Sequence, residues 1–354
     1  MIRYLFKCKT LSPIHIGAGS DIEPLNYIIR GSRLHAIRMG GFICGLEDRK
    51  RSEFEGLIDA GNLTGIRKFL FENAEVENCS DFSVEVSPEV AGKYRSRLED
   101  VQNQLLISTF IRDKCSGMPF LPGSSIKGAI RTALVSMAAK RKGLPNPAGL
   151  REEREFESKA LGYRDPKNDP LRGMKIRDAM MSDGSTVLRE VVNACIKKGG
   201  RLVSNSLAMT CEVTGSLLTG ESLQLDIEIL FDDLLYATDF LGSRLGPRDL
   251  MAACNEFYRP KMLEEHKKFY KGSDAEPYSA ELLNHTPDAK SFLVRLGRFS
   301  GVESVTLDNY RSPRPPGRGK VWGTSRNLAE GKYPMGWLSC ELIDSGDPQD
   351  LAGP

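Results

Sequence analysis

The sequence predicts an α+β fold with antiparallel sheets, and three observations carry this. Alternating runs rich in β-formers are mixed with helical patterns, without the regular strand–helix–strand rhythm of a doubly wound sheet. Neighbouring strand-like runs are separated by short glycine-containing turns, the connection antiparallel partners use. A strand running into a glycine loop recurs near both ends, at 16–19 and at 296–301, as expected of two related α+β halves. At 354 residues the chain is long for one core, so two domains are expected.

In chain order, YLFKCKTLSPIHIG (4–17) alternates and reads as a strand; the charges inside its apolar run argue against a secretory signal. NYIIRGSRLHAI (26–37) is two short runs about RGS, a hairpin signal. Residues 46–115, including QNQLLISTFIRD, read as a mostly helical, charged insertion packed on a sheet. Phe120-Leu121 leads into a helix expected from about 125 to 141, with Ile126, Ile130, Leu134 and Met137 on one face. GLPNPAG ends that helix, and the polar stretch 150–172, with Asp-Pro twice, reads as an exposed loop. MKIRDAMM and TVLREVVNACI are strand candidates, and SLAMTCEVTGSLLTGESLQLDIEIL reads as two strands about a glycine turn. The pattern from 232 to 271 is helical; SFLVRLGRFSG (291–301) is a strand followed by glycines. SPRPPGRGK (312–320) cannot hold regular structure, and YPMGWLSCELID (333–344) reads as a closing strand.

Hydrophobic residues make up 40% of the chain and charged residues 27%, the balance of a globular protein. No apolar run approaches the roughly 18 residues of a membrane span. The net charge is only +2, so any surface for an anionic partner must be local. Two segments qualify: 112–142 carries seven bases against one acid, and 295–332 eight bases against three acids. The eight cysteines include no CxxC pair and no histidine at zinc-ligand spacing, which points to reduced thiols in a cytosolic protein, with no metal or cofactor called for.

The most informative stretch is PFLPGSSIKGAIRTAL (119–134). Ser124 or Ser125 is a natural N-cap, the helix start offers free amides and a positive dipole end to an anion, and Lys127 and Arg131 share a face beside it. Gly128, inside the helix, suggests a close approach. A P-loop is excluded by spacing, because Lys127 precedes Gly128. Ser124-Ser125-Ile126-Lys127 satisfies SxxK, but the companion box has Val213 where a lysine is needed. A nucleic-acid backbone needs only amides, hydroxyls and cations, which this segment has.

FLPGSSIKGAIRTAL, together with LSPIHIGAGS near the start, PLNYIIRGSRLHAI, RLGRFSG and YPMGW, resembles the RAMP superfamily of type III-A CRISPR effector (Csm) complexes. The likeness is greatest to the subunit that caps the backbone filament at the 3′ end of the CRISPR RNA. The resemblance implies two ferredoxin-like (RRM-like) domains with helical insertions and glycine-rich loops. The first is expected over 1–205 with the insertion 46–115, the second, degenerate, over 206–354 with the loop 296–301. It implies a cytoplasmic, non-catalytic RNA-binding subunit in antiviral defence, supporting guide maturation by sequence-independent backbone contacts. The implied partners are the CRISPR RNA, target RNA indirectly, the repeated backbone subunit, the small helical subunit and the large polymerase-like subunit, with no membrane. The candidate contacts are Gly17, Ala18, Gly19, Ser20, Gly123, Ser124, Ser125, Lys127, Arg131, Arg295, Arg298, Arg314, Arg318, Lys320 and Arg326. An alternative is a RAMP ribonuclease: metal-dependent through Asp21, which lies where the backbone subunit carries its aspartate, or guide-processing through His15.

Overall fold

The computed structural model describes residues 1–346 except 99, 101–104, 146, 148–149, 197–201, 233–238, 241–242 and 308–322. Its first half contains strands β1 (Ile2–Thr10), β2 (Gly17–Ile22), β3 (Tyr27–Arg30) and β4 (Arg33–Ile37), then helices α1 (Met39–Gly45), α2 (Asp48–Asp59), α3 (Leu63–Asn73) and α4 (Val76–Cys79). After β5 (Ser80–Val86), α5 (Pro88–Arg97), β6 (Ile107–Phe110) and β7 (Phe120–Leu121) comes the long α6 (Gly123–Arg141), followed by α7 (Leu150–Leu161). Strands β8 (Met174–Ile176), β9 (Ala179–Met180), β10 (Thr186–Ile196), β11 (Leu202–Thr214) and β12 (Gln224–Phe231) precede a small hairpin, β13 (Asp239–Phe240) and β14 (Ser243–Arg244). The chain closes with α8 (Pro247–Glu265), α9 (Glu276–Asn284), β15 (Ser291–Arg295), α10 (Val302–Val305), β16 (Ser325–Ala329) and β17 (Trp337–Ser345).

The α+β expectation holds. One five-stranded sheet, ordered β15-β17-β1-β12-β8, is antiparallel throughout. Along β1, Tyr4, Phe6, Cys8 and Thr10 point inward and are buried, as its alternation required. Ile126, Ile130, Leu134 and Met137 of α6 and Leu250, Cys254 and Phe257 of α8 pack into the same apolar cluster, so these two helices cover the sheet. The second, eight-stranded sheet runs β2-β6-β11-β10-β5-β4-β3, with β16 also on β10.

The second sheet is not wholly antiparallel: β5 pairs parallel with β10 and β6 parallel with β11. Both strands come from the segment read as helical. ISTF is too short to show a period, and its strand state rests on a partner about 100 residues away, which local pattern cannot reveal. Residues 150–161 are a helix rather than a loop. Arg151 and Lys159 each bridge to Glu155 at i,i+4 spacing, and Phe156, Ala160 and Leu161 are buried beneath them; the dense charge hid that stripe. Within 232–246, the described residues 239–240 and 243–244 form a hairpin, not a helix, and the others of DLLYATDFLG lie outside the described residues. The boundary expected at residue 205 runs through β11, and β1 lies between β12 and β17, so strands from both sides of that boundary share each sheet.

Candidate functional site

Segment 11–16, between β1 and β2, is threaded through the molecule by its backbone. Leu11 and Ser12 N–H groups donate to the Trp337 carbonyl, Gly336 N–H to Pro13, Thr214 N–H to Ile14 and Arg298 N–H to His15. The last of these fixes the C-terminal glycine loop. Gly297 has φ +89°, and a Cβ there would stand 2.3 Å from the His15 carbonyl oxygen. Only glycine both adopts that conformation and lets the two backbones meet. Arg298 is thereby turned outward; its Nη1 lies 3.4 Å from Ser108 Oγ and its guanidinium 5.7 Å from the Phe299 ring.

The start of α6 is built differently from its sequence reading. The N-cap is Pro122, not a serine, and Ser124 and Ser125 lie in the first turn. Gly123 N–H donates instead to Asp178 Oδ1 at 2.7 Å, so an internal carboxylate occupies part of the helix start. The helix then presents three faces. Ile126 and Ile130 enter the core. Lys127 and Arg131 face β8 and α7: Lys127 Nζ donates to the Met174 carbonyl at 2.6 Å, while Arg131 pairs with Glu157 and, at 2.7 Å, with Asp169 Oδ2. The third face carries Ser125, Gly128, Ala129 and Thr132.

That third face forms one wall of a cleft of 740 Å³. The opposite walls are Gly17, Gly19 and Asp21 of β2 and the Leu296–Ser300 loop with Arg298, closed by Ser108, Tyr258, Ser304 and Val305. Around Gly128 a Cβ would meet nothing within 4 Å, so the close approach expected there is not made by the chain and the space opens into the cleft. A second groove of 650 Å³ adjoins it, sharing Asp21, Ser108 and Arg298. Among the described residues the cleft is therefore rimmed by backbone, hydroxyls, one outward guanidinium and the Asp21 carboxylate, and all but the last suit a chain of phosphodiesters.

The pattern of the RAMP superfamily matches residues 7–215. The chain belongs to that superfamily. Among curated proteins it is similar to "CRISPR system Cms protein Csm5" of Methanocaldococcus jannaschii, 28% identical over 193 residues, or 50% of this chain and 43% of that protein. It is also similar to the protein of that name from Streptococcus thermophilus, 30% identical over 145 residues, or 37% of each. The matched stretches thus span under half the length of both relatives. Among solved structures, a chain of the "Csm-crRNA-target RNA ternary complex in type III-A CRISPR-Cas system" superposes with TM-score 0.68 at 20% identity, covering 97% of this chain and all of that one. The T. onnurineus Csm5 crystal structure gives TM-score 0.57 at 20% identity, over 94% and 99% of the two chains. At that identity these two show a shared fold.

The RAMP match contains β2 and α6 but not the Arg298 loop, so one wall of the cleft lies beyond it. Of the residues singled out from sequence, Gly17, Gly19, Ser125, Arg295 and Arg298 come together on the cleft. Ala18, Ser20 and Ser124 are exposed beside it, and Gly123 is buried at the helix start. Lys127 and Arg131 are on the neighbouring face and engaged there. Arg295, 3% exposed, spends its guanidinium on Glu265 at 2.6 Å and the Met335 carbonyl at 3.0 Å. Arg326 is likewise buried, held by Glu265 and by Glu303 at 2.9 Å. Arg314, Arg318 and Lys320 lie outside the described residues. Sequence reasoning missed Ser108, hidden in the segment read as helical, and Thr132, whose only signal was its i+7 spacing from Ser125. All eight cysteines are free. Among the described residues no helix is long and apolar enough to cross a membrane, and no group of three His, Cys, Asp or Glu is placed to hold a metal ion.

His15 is 1% exposed and does not line the cleft. Its Nδ1 lies 2.7 Å from the Glu212 carbonyl, which can only accept, so Nδ1 carries the proton and Nε2 is a bare acceptor. Nε2 has no partner among the described residues. Burial above all pulls this imidazole below its ordinary pKa of 6.5, against the Glu212 hydrogen bond, and Arg298 adds to the depression. The folded state thus binds fewer protons at His15 than the unfolded state, and stability falls as pH drops below 6.5. Unfolding free energy measured from about pH 5 to 7 is expected to rise less steeply in His15→Asn than in the parent, the other histidines cancelling in the comparison. Parallel curves would show that His15 is not buried neutral.

Proposed function

We propose that this chain is a non-catalytic RNA-binding subunit of a type III-A CRISPR interference complex. The cleft holds the sugar–phosphate backbone of the CRISPR RNA near its 3′ end, where the chain caps the filament of sister Csm subunits. The observation that carries the proposal is the convergence of three glycine-bearing segments, 17–19, 125–132 and 297–300, on one cleft whose outward cation is Arg298. The relatives' names and the complex containing the structural neighbour supply the biological setting. Backbone amides, small hydroxyls and a guanidinium grip phosphates without reading bases, as a subunit that serves any guide must. His15 is buried and does not line the cleft, and among the described residues Asp21 is the one carboxylate that lines it, which supports the binding reading over the cleavage chemistry considered from sequence.

The test is equilibrium binding of single-stranded RNAs of unrelated sequence across a salt series. Arg298→Ala is expected to weaken all of them alike and to flatten the slope of log K against log salt by about 0.7, one phosphate's worth. Gly128→Leu is expected to fill the cleft and weaken binding while stabilising α6 by up to about 1 kcal/mol. RNA affinity and slope unchanged in both variants would reject the cleft as the binding site.

A further inference from the structure

The saddle between the two grooves holds a residue that a phosphate-binding surface should not contain. Asp21 lies on edge strand β2 directly opposite Ser108 of β6, so their side chains share a face of the sheet. Both residues, with Arg298, line both grooves. The other carboxylates near this region are occupied: Glu212 by Arg112 and Thr186, Glu265 by Arg295 and Arg326. Asp21 is exposed, and among the described residues its carboxylate has neither an ion pair nor a hydrogen bond. An unpaired carboxylate repels a polyanion unless the ligand brings it a proton donor. Along a nucleic-acid backbone the phosphates and ring oxygens only accept; the one donor is the ribose 2′-hydroxyl. A carboxylate only accepts, so the two are matched.

On this ground, and resting on the RNA-backbone reading above, we infer that Asp21 takes the 2′-hydroxyl of the nucleotide crossing from one groove to the other. It thereby makes the cleft selective for RNA over DNA. Arg298, held beside it through Ser108, takes the adjoining phosphate. The selectivity has two parts: a charge-assisted hydrogen bond gained with ribose and an uncompensated repulsion met by deoxyribose.

The experiment compares one short single-stranded sequence as RNA, DNA and 2′-O-methyl RNA, binding to the full chain and to Asp21→Ala and Asp21→Asn. The parent is expected to prefer RNA by about tenfold, with the 2′-O-methyl form binding as weakly as DNA because its donor is gone. Asp21→Ala should lose most of that preference, largely through tighter DNA binding; Asp21→Asn, which keeps an acceptor oxygen, should retain part of it. An RNA-to-DNA ratio unchanged in Asp21→Ala, or 2′-O-methyl RNA bound by the parent as tightly as RNA, overturns the inference. If the ratio is unchanged while Arg298→Ala still weakens RNA, Asp21 loses this role and the cleft keeps its own. If the parent binds no nucleic acid, both readings fall.

Discussion

Replacing Gly123 by alanine is expected to destabilise the protein by about 3 kcal/mol, among the largest effects of any single-methyl addition in the chain. A Cβ at this position would stand 2.1 Å from the Ile176 carbonyl oxygen and 2.9 Å from the Arg177 carbonyl carbon, both backbone atoms. Neither side can yield easily. Ile176 is paired to Ile229 in the five-stranded sheet, and Gly123 N–H is tied to Asp178. The start of α6 must therefore shift, and Ile126 and Ile130 are carried out of register with the core. The same substitution five residues on, at Gly128, meets nothing and replaces glycine in a helix interior, so its sign is reversed. Chemical denaturation of the two variants beside the parent checks this; a Gly123→Ala midpoint equal to the parent's would mean that the helix start is not so tightly seated.

The second large effect is expected at Glu265, at the end of α8. Its Oε1 receives Arg295 Nη1 at 2.6 Å and also Arg326 Nε, and all three side chains are buried. Arg295 and Arg326 further stack on Trp337 and Phe269, with guanidinium carbons 5.0 Å and 3.8 Å from the ring centroids. Glu265→Ala leaves two desolvated guanidinium groups, of which Arg326 keeps Glu303 and Arg295 keeps only the Met335 carbonyl, a loss of about 3–5 kcal/mol. The contrast is Lys140 with Glu256, a bridge whose side chains are both half exposed; Lys140→Ala is expected to change stability by under about 1 kcal/mol. Because Arg295 leads directly into Leu296-Gly297-Arg298, Glu265→Ala should weaken RNA binding as well. A Glu265→Ala protein as stable as Lys140→Ala would show that the buried network does not anchor this loop.

These two sites show which features were legible in the sequence. The glycine motifs were, because a glycine marks a backbone position that admits no side chain whichever partner fills the space: Gly297 has a positive φ and meets the His15 backbone, and Gly123 meets a strand. The α6 core stripe was legible for the same reason, since 3.6-residue spacing needs no knowledge of partners. The rotation of α6 about its axis was not. Lys127 and Gly128 are adjacent, yet about 100° apart around the helix. Which of their faces meets the cleft depends on Asp169, Glu157 and Met174, 26 to 47 residues further along. For the same reason a count of bases could not separate Arg298, which faces outward, from Arg295 and Arg326, which neutralise a buried glutamate.

The most direct measurement is photo-crosslinking of 4-thiouridine-labelled CRISPR RNA in the assembled complex, with attachment sites identified by mass spectrometry. The cleft predicts adducts within Gly17–Ser20, Ser125–Thr132 and Gly297–Ser300, from both sides of residue 205 at once. Adducts confined to other surfaces, with all three segments silent, would contradict it.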